Sequence, residues 1–409
     1  MQKKPERVHF TGACVMVDPS NFTPPYDQQL VSALHGAGLR IDWLGRSRRE
    51  DDPFDASGRL PEPFFYRFSE SLGASMPRAV FLFLKSFEHA FDLLRLVFHI
   101  RKKRVRIVHF QWTPVPILDY FAILALQSSS RVVLTIHDSE IFHGNASHAL
   151  QRLGWKKVMA AADHLIVHTE SAKAQIEANG GAARRVSVIH HPVFPRPDQR
   201  YIDRALSALP KTALGLSEER VNFLLFGRLA AYKGLDILLD ALGSVDGDIL
   251  RRIRVAIVGR PAFDAEAFAA RIDDLALADT VAFRPKYLGD DELTAYLAQS
   301  DVALFPYTDI DASGALMQAI AYSPAIIASR IGIFEELLGD RVNALLVPPA
   351  DHLALATAIS LLAVDSELRR ELRQGVSKVA EQDLSWGVAA RRTLEIYAAV
   401  ASDQPGGQG

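Results

Sequence analysis

The chain has little of several things, and each scarcity removes a class of answers. It holds a single cysteine, Cys14, so no internal disulfide can form and a reducing compartment fits best. Lys and Arg number 46 against 48 Asp and Glu, for a formal net charge of −2, so no global basic field advertises nucleic acid. The N-terminus, MQKKPERVHF, lacks the apolar core of a signal peptide and runs straight into a strand pattern. The first strand ends in VMVDPSNF without G-x-G-x-x-G, which argues against a nicotinamide-dependent oxidoreductase. The greasiest stretch, Ala79–Ile100, is interrupted by Lys85, Glu88, Asp92 and Arg95, and ionised groups at mid-bilayer depth are costly. It therefore reads as an amphipathic helix rather than a membrane span. The charges recur at steps of three and four, extended by His99, and line one face. Phe83, Phe87, Phe91, Leu94 and Phe98 make the other face unusually apolar, and a basic cluster, Arg101 to Arg104 with Arg106, follows.

What is present is a long, ordinary globular composition. At 409 residues the chain exceeds one core and suits two domains, and 49% hydrophobic with 23% charged residues is typical of a soluble protein. Apolar runs of strand length alternate with amphipathic segments of helix length. Strands are expected at 8–17, 39–44, 105–110, 131–136, 164–168 and 186–189, with a helix at 27–35. After a proline-rich linker at 190–201, a second series follows at 222–226, 253–258, 280–283, 302–305, 325–328 and 344–347. Strands rich in Val, Ile and Leu without polar alternation are buried on both faces, as in a parallel sheet. The expectation is an α/β protein of two doubly wound Rossmann-like domains, 1–194 and 195–385, with ligands beyond the carboxyl ends of the strands in a central cleft. A long last helix near 386–401 is expected to pack back on the first domain, and the tail SDQPGGQG to be disordered.

Two stretches carry chemistry. In LLFGRLAAYKGLDILLDAL (Leu224–Leu242), Arg228 and Lys233 sit between a strand end and a helix start, where backbone amides and the helix dipole already favour an anion. An Arg fork and a mobile Lys charge together suit a diphosphate. In VALFPYTDIDASGALMQAIAYSPAIIAS (Val302–Ser329), Ser313-Gly314 marks a second helix start, with a glycine that lets a ligand approach the backbone.

With these in place the chain resembles the family 4 retaining glycosyltransferases of the GT-B fold, also termed glycosyl transferases group 1. The matching segments run from Val8 to about Tyr397 and include LTIHDSEIFHG, HLIVHTESAK, VIHHP, FGRLAAYKGLDILLDAL, YLGDDELTAYLAQSDVALFPY, ASGALMQAIAYSPAIIAS and NALLVPPAD. Their order and spacing are more specific than any one of them. The resemblance implies transfer of a sugar from a nucleotide-sugar, such as a UDP- or GDP-hexose, to a hydroxyl of a glycan or lipid-linked acceptor, with retention. It implies that Arg228 and Lys233, with Gly227, bind the donor diphosphate and that Ser313, Gly314 and Ala315 touch diphosphate or sugar. It also places His137 where the family has a histidine reaching the donor sugar. No metal and no further cofactor are implied. The setting expected is bacterial polysaccharide assembly in the cytoplasm, at the inner face of a membrane; the helix Ala79–Ile100 with its basic cluster is either a core helix with a solvated basic end or a contact with anionic lipid.

The chain departs from the family where two glutamates seven residues apart are common. Here the region offers Asp309 or Asp311 before the glycine and Gln318 after it, and a neutral amide binds a ribose diol less tightly than a carboxylate. Glu335 and Glu336 are other candidates. The departure keeps a catalytically silent GT-B partner or binding subunit as the alternative. Asp309-Ile310-Asp311 spells D-x-D, but its place before a Ser-Gly helix start favours turn and cap hydrogen bonding over a metal. Cys14 reads as packing, and His190-His191 lack further zinc ligands. Asn21, Tyr26, Asp27 and Gln28, after the first strand, either touch the acceptor or cap the helix.

Overall fold

The computed structural model describes residue 10 and residues 12–49, 52, 58–72, 78–137, 149–178, 186–310 and 313–402. The chain divides into two compact units, Met1–His191 with Trp386–Gly409, and Pro192–Ser385. The expected disordered tail lies outside the described residues after Ser402.

The first unit is built on seven parallel strands: β1 (Cys14–Asp18), β2 (Ile41–Arg46), β3 (Glu62–Phe65), β4 (Ile107–Phe110), β5 (Arg131–Ile136), β6 (His164–Val167) and β7 (Val186–Val188). Their spatial order is β3-β2-β1-β4-β5-β6-β7. The second unit has six: β8 (Val221–Phe226), β9 (Ile253–Val258), β10 (Val281–Arg284), β11 (Val302–Phe305), β12 (Ala325–Ser329) and β13 (Leu345–Val347), in the order β10-β9-β8-β11-β12-β13. Both are doubly wound, as the alternating pattern predicts. Of the expected first strand at 8–17, residues 8, 9 and 11 lie outside the described residues and β1 covers Cys14–Asp18; the linker gives way to a helix at Gln199. β3 escapes sequence reasoning because it is a four-residue edge strand holding Pro63, which only an edge tolerates.

Burial on both faces explains the strand composition. Val15 and Val17 enter one core layer of the first unit, while Cys14 and Met16 enter the other. In β8, Phe223 and Leu225 face one layer, Leu224 and Phe226 the opposite one. Cys14 is a buried free thiol, which burial pushes up to about 12, so it serves packing. The helix Trp386–Ser402 belongs to the first unit and packs on the helix Pro24–Gly36, with Tyr397 fully buried.

In each sheet the strand order reverses once, between β1 and β4 and between β8 and β11. At such a point adjacent loops leave in opposite directions and open a crevice at the carboxyl edge. Arg228, Lys233 and Ser313 lie on these loops of the second unit, and Asn21 on the loop after β1 of the first.

Candidate functional site

In the second unit, β8 ends at Phe226 and β11 at Phe305, so the loops 227–234 and 306–313 flank the reversal point. They form a cavity of about 310 Å³ lined by Gly227, Arg228, Lys233, Tyr307, Ser313 and Gly314, with Phe194, Tyr232, Ile310, Ala315 and Gln318. The sequence thus places Gly227, Arg228, Lys233, Ser313, Gly314, Ala315 and Gln318 around one space. Gly234 lets the first loop turn: its φ is 67°, and a Cβ there would stand 1.9 Å from the carbonyl oxygen of Pro306. Gly314 is different. A Cβ on it meets nothing within 4 Å, so the protein's own packing does not demand a glycine there.

The two cations are unlike. Arg228 is exposed and makes no ion pair among the described residues. Lys233, expected at an open surface, is instead only 3% exposed. Its Nζ donates to the carbonyl of Phe226 at 2.9 Å and to the Tyr307 hydroxyl at 2.5 Å, and lies 4.7 Å from the centre of the Tyr307 ring. The reason is the 3₁₀ turn Ala231–Lys233, which folds the side chain under the loop. Burial without a carboxylate partner lowers its pKa to about 8. Burial likewise raises Tyr307, next to Tyr232. An anion entering the cavity would meet a desolvated ammonium from within and a guanidinium at the rim.

Ser313 caps the helix Gly314–Ile320, its Oγ accepting from Leu316 N at 3.1 Å. Its hydroxyl is therefore engaged, and Gly314 and Ala315 beyond it line the cavity. Asp309 is exposed and, like Glu335 and Glu336, is not among the residues lining the space. Asp311 lies outside the described residues, as does Asp138 beside His137. Among the described residues no group of His, Cys, Asp and Glu side chains could hold a metal ion. Tyr307, Tyr232 and Phe194 went unnoticed in the sequence; the only signal for Tyr307 is its place directly after β11, in FPY.

In the first unit, His137 follows β5 and joins a cluster whose members lie far apart along the chain. Its ring stacks on Trp112 at 5.5 Å and meets Tyr26 edge-on at 4.8 Å. His168 Nδ1 lies 2.8 Å from the Ile189 carbonyl, which makes that nitrogen the donor and leaves Nε2 as an acceptor. His137 Nδ1 then donates to it at 3.2 Å. His137 Nε2 stands 2.9 Å from the side-chain amide of Gln111. Burial first, then His168 and His191, hold His137 well below the usual histidine range, so the ring is neutral and Nε2 is an acceptor. Gln111 Oε1 stands against this nitrogen, so the amide is assigned turned over, with its NH₂ donating to Nε2.

The other candidates of this unit are turned inward. Asn21 is 4% exposed, with φ 48°, and its Nδ2 donates to the Arg46 carbonyl at 3.1 Å. Asp27 is fully buried beside Asp18, whose carboxylate accepts from Phe22 N at 2.6 Å. Burial, then the Asp18 charge, raises Asp27 well above the carboxylate range. Gln28 donates to the Arg59 carbonyl at 2.9 Å. In the ligand-free chain these side chains are turned into the loop after β1. Tyr26 is likewise 4% exposed and packs on His137, His168, His191 and Trp386.

Family models match both units: Glycosyltransferase Family 4 over residues 28–195 and Glycosyl transferases group 1 over residues 220–365. The chain belongs to these glycosyltransferases. Among curated proteins, this glycosyltransferase family member is similar to D-inositol 3-phosphate glycosyltransferase of Streptomyces bingchenggensis, at 28% identity over 260 residues, 61% of this chain and 56% of that protein. The homonymous protein of Saccharomonospora viridis is 28% identical over 256 residues, 60% of this chain and 57% of the relative. The chain thus spans little more than half the length of these relatives. Among solved structures, a glycosyltransferase from Rickettsia africae superposes with a TM-score of 0.66 at 14% identity, covering 97% of this chain and all of that one (100%). HepE of Anabaena, in complex with UDP and glucose, gives 0.65 at 16% identity, covering 95% of this chain and 100% of HepE. The paired Rossmann-like sheets are those of the GT-B fold.

Proposed function

We propose that the protein transfers a sugar from a nucleotide-sugar donor, a UDP- or GDP-hexose, to a hydroxyl of a glycan or lipid-linked acceptor in bacterial polysaccharide assembly. One observation carries the reading. A buried lysine without a carboxylate partner and an exposed arginine open on one cavity at the reversal point of a doubly wound sheet. A diphosphate is the ligand class that answers both charges.

In this reading Arg228 and Lys233 hold the diphosphate and stabilise the charge that grows on it as the bond to the sugar breaks, which is electrostatic catalysis by groups already in place. Gly314 and Ala315 admit the ligand close to the backbone, and Gln318 offers an amide to the ribose. His137, as a neutral acceptor, takes a hydrogen bond from a sugar hydroxyl at Nε2 in exchange for the one from Gln111. Retention follows if the acceptor attacks the face that the diphosphate leaves, with the leaving oxygen taking the acceptor proton. In this reading the two cations supply the countercharge to the diphosphate.

The test is incubation with a panel of nucleotide-sugars, scoring release of nucleoside diphosphate and thermal stabilisation. Stabilisation by nucleoside diphosphates with turnover of at least one donor is expected. Gln318, in place of a carboxylate, favours the second reading, a silent GT-B subunit that binds without turnover. Binding with no release from any donor would establish that reading instead.

A further inference from the structure

The helix Arg78–Lys103 is mounted with its polar side inward. Lys85 lies 4.4 Å over the ring of Tyr66. Glu88 accepts from Phe68 N at 2.6 Å and Ser69 N at 2.8 Å. His89 sits fully buried between the Tyr66 hydroxyl and Asp119, both at 2.8 Å. Asp92 accepts from Tyr66 N at 2.8 Å and pairs with Arg95 at 2.5 Å. The charged row thus serves as the attachment to the chain around Phe64–Ser69, joined by Leu93, Leu96, Val97 and Ile100 in the core.

The consequence is an outward stripe of large apolar side chains. Phe83, Phe87, Phe91, Leu94 and Phe98 are 58–73% exposed. The helix Pro116–Leu126 packs beside it and enters the same core through Ala122, Ile123 and Leu126. It leaves Ile117, Phe121 and Leu124 exposed at 39%, 61% and 42%. A soluble monomer rarely exposes contiguous aromatic surface of this kind, and such a patch marks an interaction site.

Charge selects the partner. The apolar stripe runs into Arg101, Lys102, Lys103 and Arg104, all exposed. Lys103 pairs with Asp42 at 2.9 Å, and Arg101 donates to the Ala125 carbonyl at 2.9 Å and to Ser128. Lys102 and Arg104 make no ion pair among the described residues. Aromatic and leucine side chains beside free cations match an anionic bilayer surface, where rings enter the headgroup boundary and cations meet phosphates. No described helix is long and apolar enough to cross a membrane.

We propose that this face docks on an anionic lipid bilayer, the helix lying flat with Phe83, Phe87, Phe91, Leu94 and Phe98 in the interface and Lys102 and Arg104 on headgroup phosphates. The proposal deepens the lipid-linked acceptor of the reading above without relying on it. A lipid-borne acceptor then diffuses to the enzyme in two dimensions.

The experiment is flotation of the full chain with phosphatidylcholine vesicles, with or without phosphatidylglycerol, at low and high salt. Binding to the anionic vesicles, weakened by salt, is expected. F87S/F91S/F98S should bind at least about a hundred-fold more weakly, since three rings no longer leave water. K102E/R104E should lose at least about ten-fold, because each cation near the surface contributes about a factor of five. Both variants should keep the wild-type melting temperature and nucleoside diphosphate affinity. Loss of that affinity in the wild type would bear on the donor reading alone. Wild-type protein that fails to float, or that floats equally with neutral vesicles, overturns the proposal. So does a dimer abolished in F87S/F91S/F98S without vesicle binding, which would make a second copy the occupant.

Discussion

Lys233 and Tyr307, 74 positions apart, form one unit: the ammonium donates to the phenol oxygen at 2.5 Å and lies 4.7 Å from the ring centre. Tyrosine oxygen and ring together partly replace the water that burial removes, through a hydrogen bond and a cation–π contact. Neither cancels the charge. The lysine is held ready for an anion, at a cost to the ligand-free fold.

That cost separates the two cations experimentally. Arg228→Ala should leave the melting temperature unchanged and weaken nucleotide-sugar binding by about 1.5–3 kcal/mol, the range for hydrogen bonds to charged groups. Lys233→Met, which keeps the volume, should weaken binding as strongly while melting at or above the wild-type temperature. Calorimetric titration with a nucleoside diphosphate, beside thermal unfolding, checks both. Wild-type affinity in the double variant would remove the diphosphate from this cavity.

The lowered pKa gives a pH dependence whose sign is fixed. Lys233 titrates at about 8 in the folded chain against 10.5 for an ordinary lysine, so between these values the unfolded state holds the extra proton. Folding stability of the ligand-free protein should therefore rise with pH across that window, by up to about 3 kcal/mol from this group. Diphosphate binding needs the charged form and should weaken as pH rises through 8. In Lys233→Met this group's contribution to both trends should vanish. Melting curves and binding isotherms collected from pH 7 to 10 decide it, and identical profiles for the two proteins would refute it.

Much of the scaffold was legible. The strand runs gave both sheets because burial on two faces leaves little room for polar residues, as in Val15–Val17 and Leu224–Phe226. The loops after β8 and β11 stood out through Arg228, Lys233 and Ser313-Gly314. What stayed hidden depends on distant partners. Nothing local to Lys233 says it is buried, since Tyr307 arrives from another strand. The charged row of the helix Arg78–Lys103 is visible as a face, but which way it points depends on the amides of Tyr66, Phe68 and Ser69. Asn21 and Asp27 read as ligand groups because their short polar side chains suit binding and loop framing alike.

Activity should not depend on a divalent ion. Arg228 and Lys233 supply two positive charges at the cavity, and no described lining residue is acidic. Turnover after treatment with excess EDTA should remain within about two-fold of untreated enzyme, far from the many-fold loss that removing a catalytic metal brings. Complete loss restored by manganese would turn attention to Asp309 and Asp311.

His137 should act in turnover and not in diphosphate affinity, because it lies in the first unit while Arg228 and Lys233 lie in the second. Its Nδ1–H is committed to His168 at 3.2 Å, so a sugar hydroxyl can reach the ring only by taking the place of Gln111 at Nε2. His137→Ala should lower kcat by about two orders of magnitude, as loss of a positioned polar group in a water-poor site does, with nucleoside diphosphate affinity intact. The same geometry constrains the acid side of the pH profile. The folded pKa lies well below the 6.5 of an ordinary histidine, so the ring stays neutral as pH falls through that value. Wild-type kcat should therefore show no acid limb near pH 6.5 that disappears in His137→Ala. Finding such a limb would mean that His137 titrates in contact with solvent, and the neutral-acceptor role would be lost with it.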